Sequence, residues 1–195
     1  MLTGSYQSFS FLLAALLYYG LDFFLIKRYD RQRQDQRSGR AWDFTVMMLA
    51  AGALLVLQPV YLPQVGWRIP GTLGLVIQGV GALTFLAALG LHAWSRLHLR
   101  HYYAERVEVQ PGHQVVDTGP YALARHPVIT SFFGMAIGLL LLNPSILTVI
   151  LLAYTIWDFS RAARQEEDLL AGQLPGYAAY AARTPRFLPR LWRRP

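Results

Sequence analysis

The sequence predicts an all-α integral membrane protein: five transmembrane helices, the last two a helical hairpin, with a cytosolic C-terminal helix and a short extended arm. Two observations predict it. Of the 195 residues 54% are apolar and 15% charged, and the apolar ones fall into long blocks with the charges collected in the gaps, the partition a bilayer imposes on helical segments. The second observation is sidedness. If the segments alternate, loop 27–40, segment 95–126 and the tail after residue 157 share one side and carry 6, 4 and 7 of the 18 Lys and Arg residues, leaving Arg68 alone opposite. By the positive-inside rule that side is cytoplasmic, so the N-terminus lies outside and the C-terminus inside.

The first span is Phe9 to Ile26, about 27 Å long as a helix, with Asp22 as its one charge. Basic residues follow this run and none precedes it, so it reads as a retained span and not a cleaved signal peptide. Asp22 sits about one turn from Lys27 and Arg28, close enough for a local pair. The segment KRYDRQRQDQRSGR has no apolar periodicity and reads as a solvated loop on anionic headgroups. Phe44 to Leu57, extended through Pro59 to about Leu62, gives the second span, and Leu73 to Trp94 the third. Residues 127–142 and 145–157 give the last two, broken only by Asn143-Pro144, with the Pro expected at the first turn of the second helix. The chain is thus one membrane domain, 1–94 supplying three spans and 95–195 the hairpin and the cytosolic segments.

Composition excludes several chemistries. There is no cysteine, so a disulfide frame, a thiolate metal site and a nucleophilic thiol are all out. The net charge of +7 does not point to nucleic acid, because the aromatic residues lie in the apolar blocks and not among the Arg residues. His98 and His101 are spaced as helix neighbours, yet five His in all are too few for a membrane di-iron centre, and no metal is expected. Gly79-Val80-Gly81 lacks a preceding strand and a third Gly, so close helix packing is expected there and at Gly134 and Gly138.

Candidate chemistry gathers on the inner face. Val107 to Val116 alternates polar and apolar residues about Pro111-Gly112, as a short hairpin or extended arm does. Then DTGPYALARHPVITSFFG runs from a basic, turn-forming segment straight into an apolar helix, a site at an interface. Arg125-His126-Pro127 also fits plain snorkelling at a helix entrance, although the rigid turn Gly119-Pro120-Tyr121 exceeds what a simple loop needs. After the hairpin, Arg161 to Leu170 continues the last membrane helix. Glu166, Glu167 and Asp168 at a membrane exit call for a cationic partner, Arg125 or Arg164. A helix with Tyr177, Tyr180 and Arg183 follows, stopped at Pro185 and Leu188-Pro189.

These pieces, in this order, resemble the isoprenylcysteine carboxyl methyltransferase and phospholipid methyltransferase superfamily. The resemblance runs from about Leu97 to Pro189. It is carried by Gly112-His113-Gln114-Val115-Val116, Gly119-Pro120-Tyr121, Arg125-His126-Pro127, Glu166-Glu167, Tyr177 with Tyr180, Arg183 and Leu188-Pro189. The chain departs from the family pattern at Ile129, where a Tyr is usual, and at Leu174-Pro175-Gly176, where Phe-Gly is usual.

The resemblance implies methyl transfer from S-adenosylmethionine to a lipophilic or lipidated acceptor at the cytosolic membrane face. It implies Arg125 and Glu166 as catalytic residues. For the cofactor it implies His113, Val115, Gly119, Tyr121, His126, Pro127, Glu167, Tyr177, Tyr180 and Arg183. Membrane lipids are the expected surroundings, with no nucleic-acid partner. Two alternatives stand beside this one: an NADPH-dependent membrane reductase of the sterol-reductase type, and a non-catalytic protein whose basic face binds anionic lipid.

Overall fold

A computed structural model describes residues 1–29, 40–99 and 115–188. Six α-helices account for most of them: α1 (Ser5–Tyr29), α2 (Arg40–Tyr61), α3 (Gly71–Leu99), α4 (Pro127–Leu142), α5 (Ile146–Gln173) and α6 (Tyr177–Arg183). Short 3-10 turns occur at Pro63–Val65 and Gly119–Ala122. Among the described residues there is no strand, only an isolated antiparallel bridge between Gly66 and Ser145. Most of loop 27–40 and all but the end of the expected arm at 107–116 lie outside the described residues.

Among the described residues, three helices are long and apolar enough to cross a membrane: α1 over Ser5–Leu25, α3, and α5. Leu49–Tyr61 of α2 and all of α4 are apolar but shorter. As expected, α5 runs without a break from its apolar start through Arg161 and Glu166 to Gln173.

The join between α4 and α5 differs from expectation by one residue. Pro144 does not open α5; Ser145 does, as its N-cap. Ser145 Oγ accepts from the Thr148 amide (3.2 Å) while Thr148 Oγ1 accepts from the Ser145 amide (3.0 Å), a reciprocal cap. The Thr148 hydroxyl also donates to Asn143 O (2.8 Å). A Pro at the cap would lack the amide that this exchange needs.

The described residues fall into two compact units. The first takes Met1–Leu86 and Met135–Leu152. Here α1 packs on α2, burying Phe11, Ala14 and Leu25. Several polar side chains in this unit are paired, as an apolar surround favours. Asn143 Nδ2 donates to Gln58 Oε1 (2.6 Å), and Gln58 Nε2 to Leu62 O (3.1 Å). Gln78 accepts from the Leu2 amide and donates to Leu2 O, both at 2.7 Å, and donates to Leu142 O (3.1 Å). A Cβ on Gly138 would stand 2.8 Å from Phe85, and one on Gly81 2.8 Å from Leu141, so helix backbones meet at both. Gly79 differs from the sequence expectation: a Cβ there would meet nothing within 4 Å.

The second unit takes Ala87–Gly134 and the described part of 153–195. A Cβ on Gly134 would lie 2.8 Å from that of Ala88, and Phe132 stacks on Phe159 with centroids 4.7 Å apart. His92 and Ser131, each 0% exposed, join α3 to α4 by a 3.1 Å bond. The Ser131 hydroxyl gives its proton to Val128 O, so His92 Nδ1 is the donor in that pair. A small core of Leu170, Leu174, Tyr177 and Tyr180, with Val115 and Ala181 against it, completes the unit.

Candidate functional site

The residues that precede α4 and those that follow α6 are stitched together by the main chain. Pro185 has no amide to continue α6 and disfavours helical backbone at Thr184, which is extended (φ −111°, ψ 127°). The chain therefore leaves α6 as an extended strap. Its carbonyls take donors beside the α4 N-terminus: Arg125 N to Pro185 O (2.8 Å), His126 N to Arg186 O (3.0 Å) and Thr130 Oγ1 to Phe187 O (2.8 Å). Pro127 opens α4, where its missing amide costs nothing.

Arg125 extends this junction with its side chain. Its Nη1 donates to Ala181 O and to Thr184 O, each at 2.7 Å, closing the C-terminal end of α6 where carbonyls lack helical partners. Its Nε donates to Glu167 Oε1 (3.0 Å).

Glu167 is the hub. Its side chain is 12% exposed, and it also accepts from His126 Nε2 (2.9 Å) and, two-pronged, from Arg186 Nε (3.0 and 3.2 Å) and Nη2 (2.6 Å). Glu166, next along α5, is 43% exposed and lies 3.4 Å from His126 Nδ1. Both ring nitrogens of His126 therefore face a carboxylate. Burial alone would lower its pKa, but the bonds to Glu166 and Glu167 outweigh burial and hold it above the usual His value. The Arg186 guanidinium is shifted upward by its bond to Glu167.

A wall of rings stands beside this charged cluster. The Tyr180 hydroxyl donates to Tyr121 O (2.7 Å), and the rings of Tyr177 and Tyr180 meet edge to face at 5.9 Å. Burial pushes the Tyr180 phenol up to about 12, with Arg125 opposing and Asp117 adding to the rise. Burial and then the Glu167 carboxylate raise that of Tyr177 further. Two glycines set the approach. Gly176 holds φ +84° at the start of α6, and Gly119 holds φ +58° where a Cβ would stand 2.3 Å from the His98 ring, so neither tolerates a side chain. The His98 Nδ1 donates back to Trp94 O (2.9 Å), fixing that ring against the turn.

The second unit thus brings together Val115, Gly119, Tyr121, Arg125, His126, Pro127, Glu166, Glu167, Tyr177 and Tyr180. Arg183 is placed apart from the buried cluster. Its side chain is 62% exposed and pairs with Asp117. His113 lies outside the described residues. Of the two candidates for the cationic partner of the acidic run, Arg125 and Arg164, it is Arg125 that pairs with Glu167. A further cation on Glu167, Arg186, does not follow from the sequence reading. Its only trace in the sequence is a basic residue directly after Pro185, where an extended backbone turns a long side chain back toward α5.

Comparison with known proteins matches the same region. Residues 79–172 fit the isoprenylcysteine carboxyl methyltransferase (ICMT) family. The chain is 36% identical over 80 residues to a nickel-cobalt-cadmium resistance protein of Alcaligenes xylosoxydans xylosoxydans, covering 40% of this chain and 37% of that one. It is 35% identical over 79 residues to a cobalt-zinc-cadmium resistance protein of Cupriavidus metallidurans, covering 40% and 36%. A protein-S-isoprenylcysteine O-methyltransferase of Saccharomyces cerevisiae is 25% identical over 173 residues, 82% of this chain and 70% of that one. The chain spans little more than a third of the length of the two bacterial relatives. Residues 79–172, which hold Arg125, His126, Glu166 and Glu167, are thus similar to the isoprenylcysteine carboxyl methyltransferase family.

Proposed function

We propose that the chain transfers a methyl group from S-adenosylmethionine to a lipophilic or lipid-anchored acceptor at the cytosolic face of a membrane. The observation that carries this reading is the meeting of the Arg125-His126 segment with Glu166-Glu167 and with the ring wall of α6, about 40 to 60 residues apart in the chain. The topology that goes with it has five spans, α1 to α5, the last two a hairpin. The N-terminus is outside, and loop 27–40, segment 95–126 and the tail after 157 lie in the cytoplasm. An apolar acceptor then arrives through the bilayer and a polar donor from water.

The residues present suit such a donor in their chemistry. Val115, Tyr121, Tyr177 and Tyr180, with Leu170 and Leu174, have the apolar and aromatic character an adenine ring would need, and in the structure all but Val115 are buried. Glu166 offers a partly exposed carboxylate for a cation. When bound, S-adenosylmethionine supplies a methyl group carried on a cationic sulfonium.

Roles follow from how each group is occupied. Glu167 is committed to Arg125, His126 and Arg186 and holds the junction together. Glu166 is the acid left facing outward, and it orients the reacting groups or takes a proton from an amine or thiol acceptor. A carboxylate acceptor is already ionised at neutral pH and asks for no base. Arg125 spends Nε and Nη1 on Glu167, Ala181 and Thr184, so it places α6 and the ring wall for the reaction. The family and the yeast relative point to an S-prenylated cysteine carboxylate as the first acceptor to try.

The test is transfer of a labelled methyl group by the purified full chain in lipid nanodiscs, with a prenylated cysteine and with lipid amines as acceptors. Glu166→Ala is expected to lower turnover at least about tenfold with an unchanged unfolding temperature. Near-normal turnover removes Glu166 from the reaction, and absence of S-adenosylmethionine binding by calorimetry overturns the proposal.

A further inference from the structure

Arg186 belongs to no motif that carried the family assignment, yet it makes the most extensive contact with the acid at the centre of the site. The contacts divide unevenly between the two oxygens of Glu167. Oε1 is shared by Arg125 Nε, His126 Nε2 and Arg186 Nε, whereas the bonds to Oε2 come from Arg186, at 3.2 and 2.6 Å. A two-pronged guanidinium fixes the plane of a carboxylate, which a single donor does not. Arg186 therefore sets the angle at which Glu167 presents Oε1 to His126.

Its charge matters as much as its fork. His126 is faced by Glu166 and Glu167 from α5 and by the Phe187 ring from the strap, while the guanidiniums of Arg125, beside it in the chain, and of Arg186, from the strap, share its Glu167 partner. Tyr177 of α6 is the further titratable group coupled to Glu167. Two carboxylates thus hold one imidazole, and two guanidiniums on Glu167 temper their pull. With the second guanidinium removed the carboxylates prevail, and the imidazole proton is held to higher pH. While that proton stays, both ring nitrogens are donors and both acids are engaged. Once it leaves, one nitrogen becomes an acceptor facing a carboxylate, and the more exposed Glu166, at 3.4 Å, is the partner released.

We infer that Arg186 is a positioning residue of this site: by clamping Glu167 against His126 it sets the pH at which His126 gives up its proton and sets Glu166 free. The inference deepens the proposed methyltransferase reading and rests on it only where catalysis is the readout.

The experiment uses the full chain in detergent with isotope-labelled histidine, the His126 signal being assigned by its loss in His126→Gln. Arg186→Gln is expected to raise the His126 midpoint by about 0.5–1 pH unit, the effect of one charge at short range in a partly solvated site. The carbonyls of the strap bond without help from this side chain, so the variant is expected to fold. A second variant guards against failure. The chain has no cysteine, so Arg186→Cys supplies a unique thiol, and capping it with an aminoethyl thiosulfonate restores a cation on the same folded sample. Capping is expected to return the midpoint most of the way to the wild-type value. A midpoint that moves in neither comparison overturns the inference, even if unfolding temperatures fall, because a plain anchor would lower stability without shifting the titration. In methyl-transfer assays the alkaline limb is expected to move by the same amount. A shifting titration without methyl transfer in any variant refutes the proposed activity and supports this inference.

Discussion

Replacing Glu167 by Gln tests the central junction most directly. The carboxylate accepts from Arg125 Nε at 3.0 Å, His126 Nε2 at 2.9 Å, Arg186 Nε at 3.0 and 3.2 Å and Arg186 Nη2 at 2.6 Å. The amide keeps the shape, loses the charge, and turns an NH2 group toward donors. Removing one member of a buried ion pair costs about 3–5 kcal/mol, because its partners keep their charges. Arg186 is 38% exposed, against 13% for Arg125, so solvent relieves part of that cost and about 3 kcal/mol is expected. For a chain of this size that is a fall in unfolding temperature of about 6–12 °C. The assay is tryptophan fluorescence on heating the purified protein in detergent. The internal control is Glu166→Gln, whose contact with His126 is 3.4 Å long with a side chain 43% exposed; it should cost under about 1 kcal/mol. Tryptic cleavage after Arg186 should also quicken in Glu167→Gln alone, as the strap loses its side-chain tie. Equal unfolding temperatures for the two variants would refute the division of labour drawn between these neighbouring acids.

Two further predictions follow from packing and charge. Gly138→Ala, whose Cβ would meet Phe85 at 2.8 Å and Gly81 O at 2.9 Å, should lower the folded yield and the unfolding temperature, whereas Gly79→Ala, with nothing within 4 Å, should leave both unchanged. Because the His126 pKa is raised in the folded chain, its imidazolium contributes stability fully below the ordinary value of 6.5 and loses it as pH rises through the higher folded value. The unfolding temperature should therefore decline as pH rises above 6.5, and His126→Gln should flatten that decline.

The helices were legible in the sequence because apolar length and punctuation are local signals. Pro127 opens α4 and Leu142 ends it as the apolar run predicts, and α5 carries on past Arg161 because nothing in that stretch breaks a helix. The one-residue shift at Ser145 came from a competition between two capping chemistries: a Pro is acceptable at the first helical turn, but a Ser able to exchange bonds with Thr148 is a better cap. The acidic run was recognisable as needing cations, and the pairing of Arg125 with Glu167 answers part of that need. The second cation was hidden because its contact depends on the direction of an extended segment, which no period or spacing encodes. Gly79 was misjudged for a related reason. A glycine pair marks a surface where helices can approach, and only the neighbouring helix decides which of the two it uses.

The strap also dictates when the site can exist during synthesis. Arg125 waits 59 residues for Thr184, and Thr130 waits 57 for Phe187, an interval that includes all of α5. The apolar segments up to α4 are therefore made well before the residues that close the junction. A chain cut before Thr184 would keep α4 and α5 but leave Arg125 and Thr130 without the strap carbonyls that tie them down, so the junction is the last part of this region to be assembled.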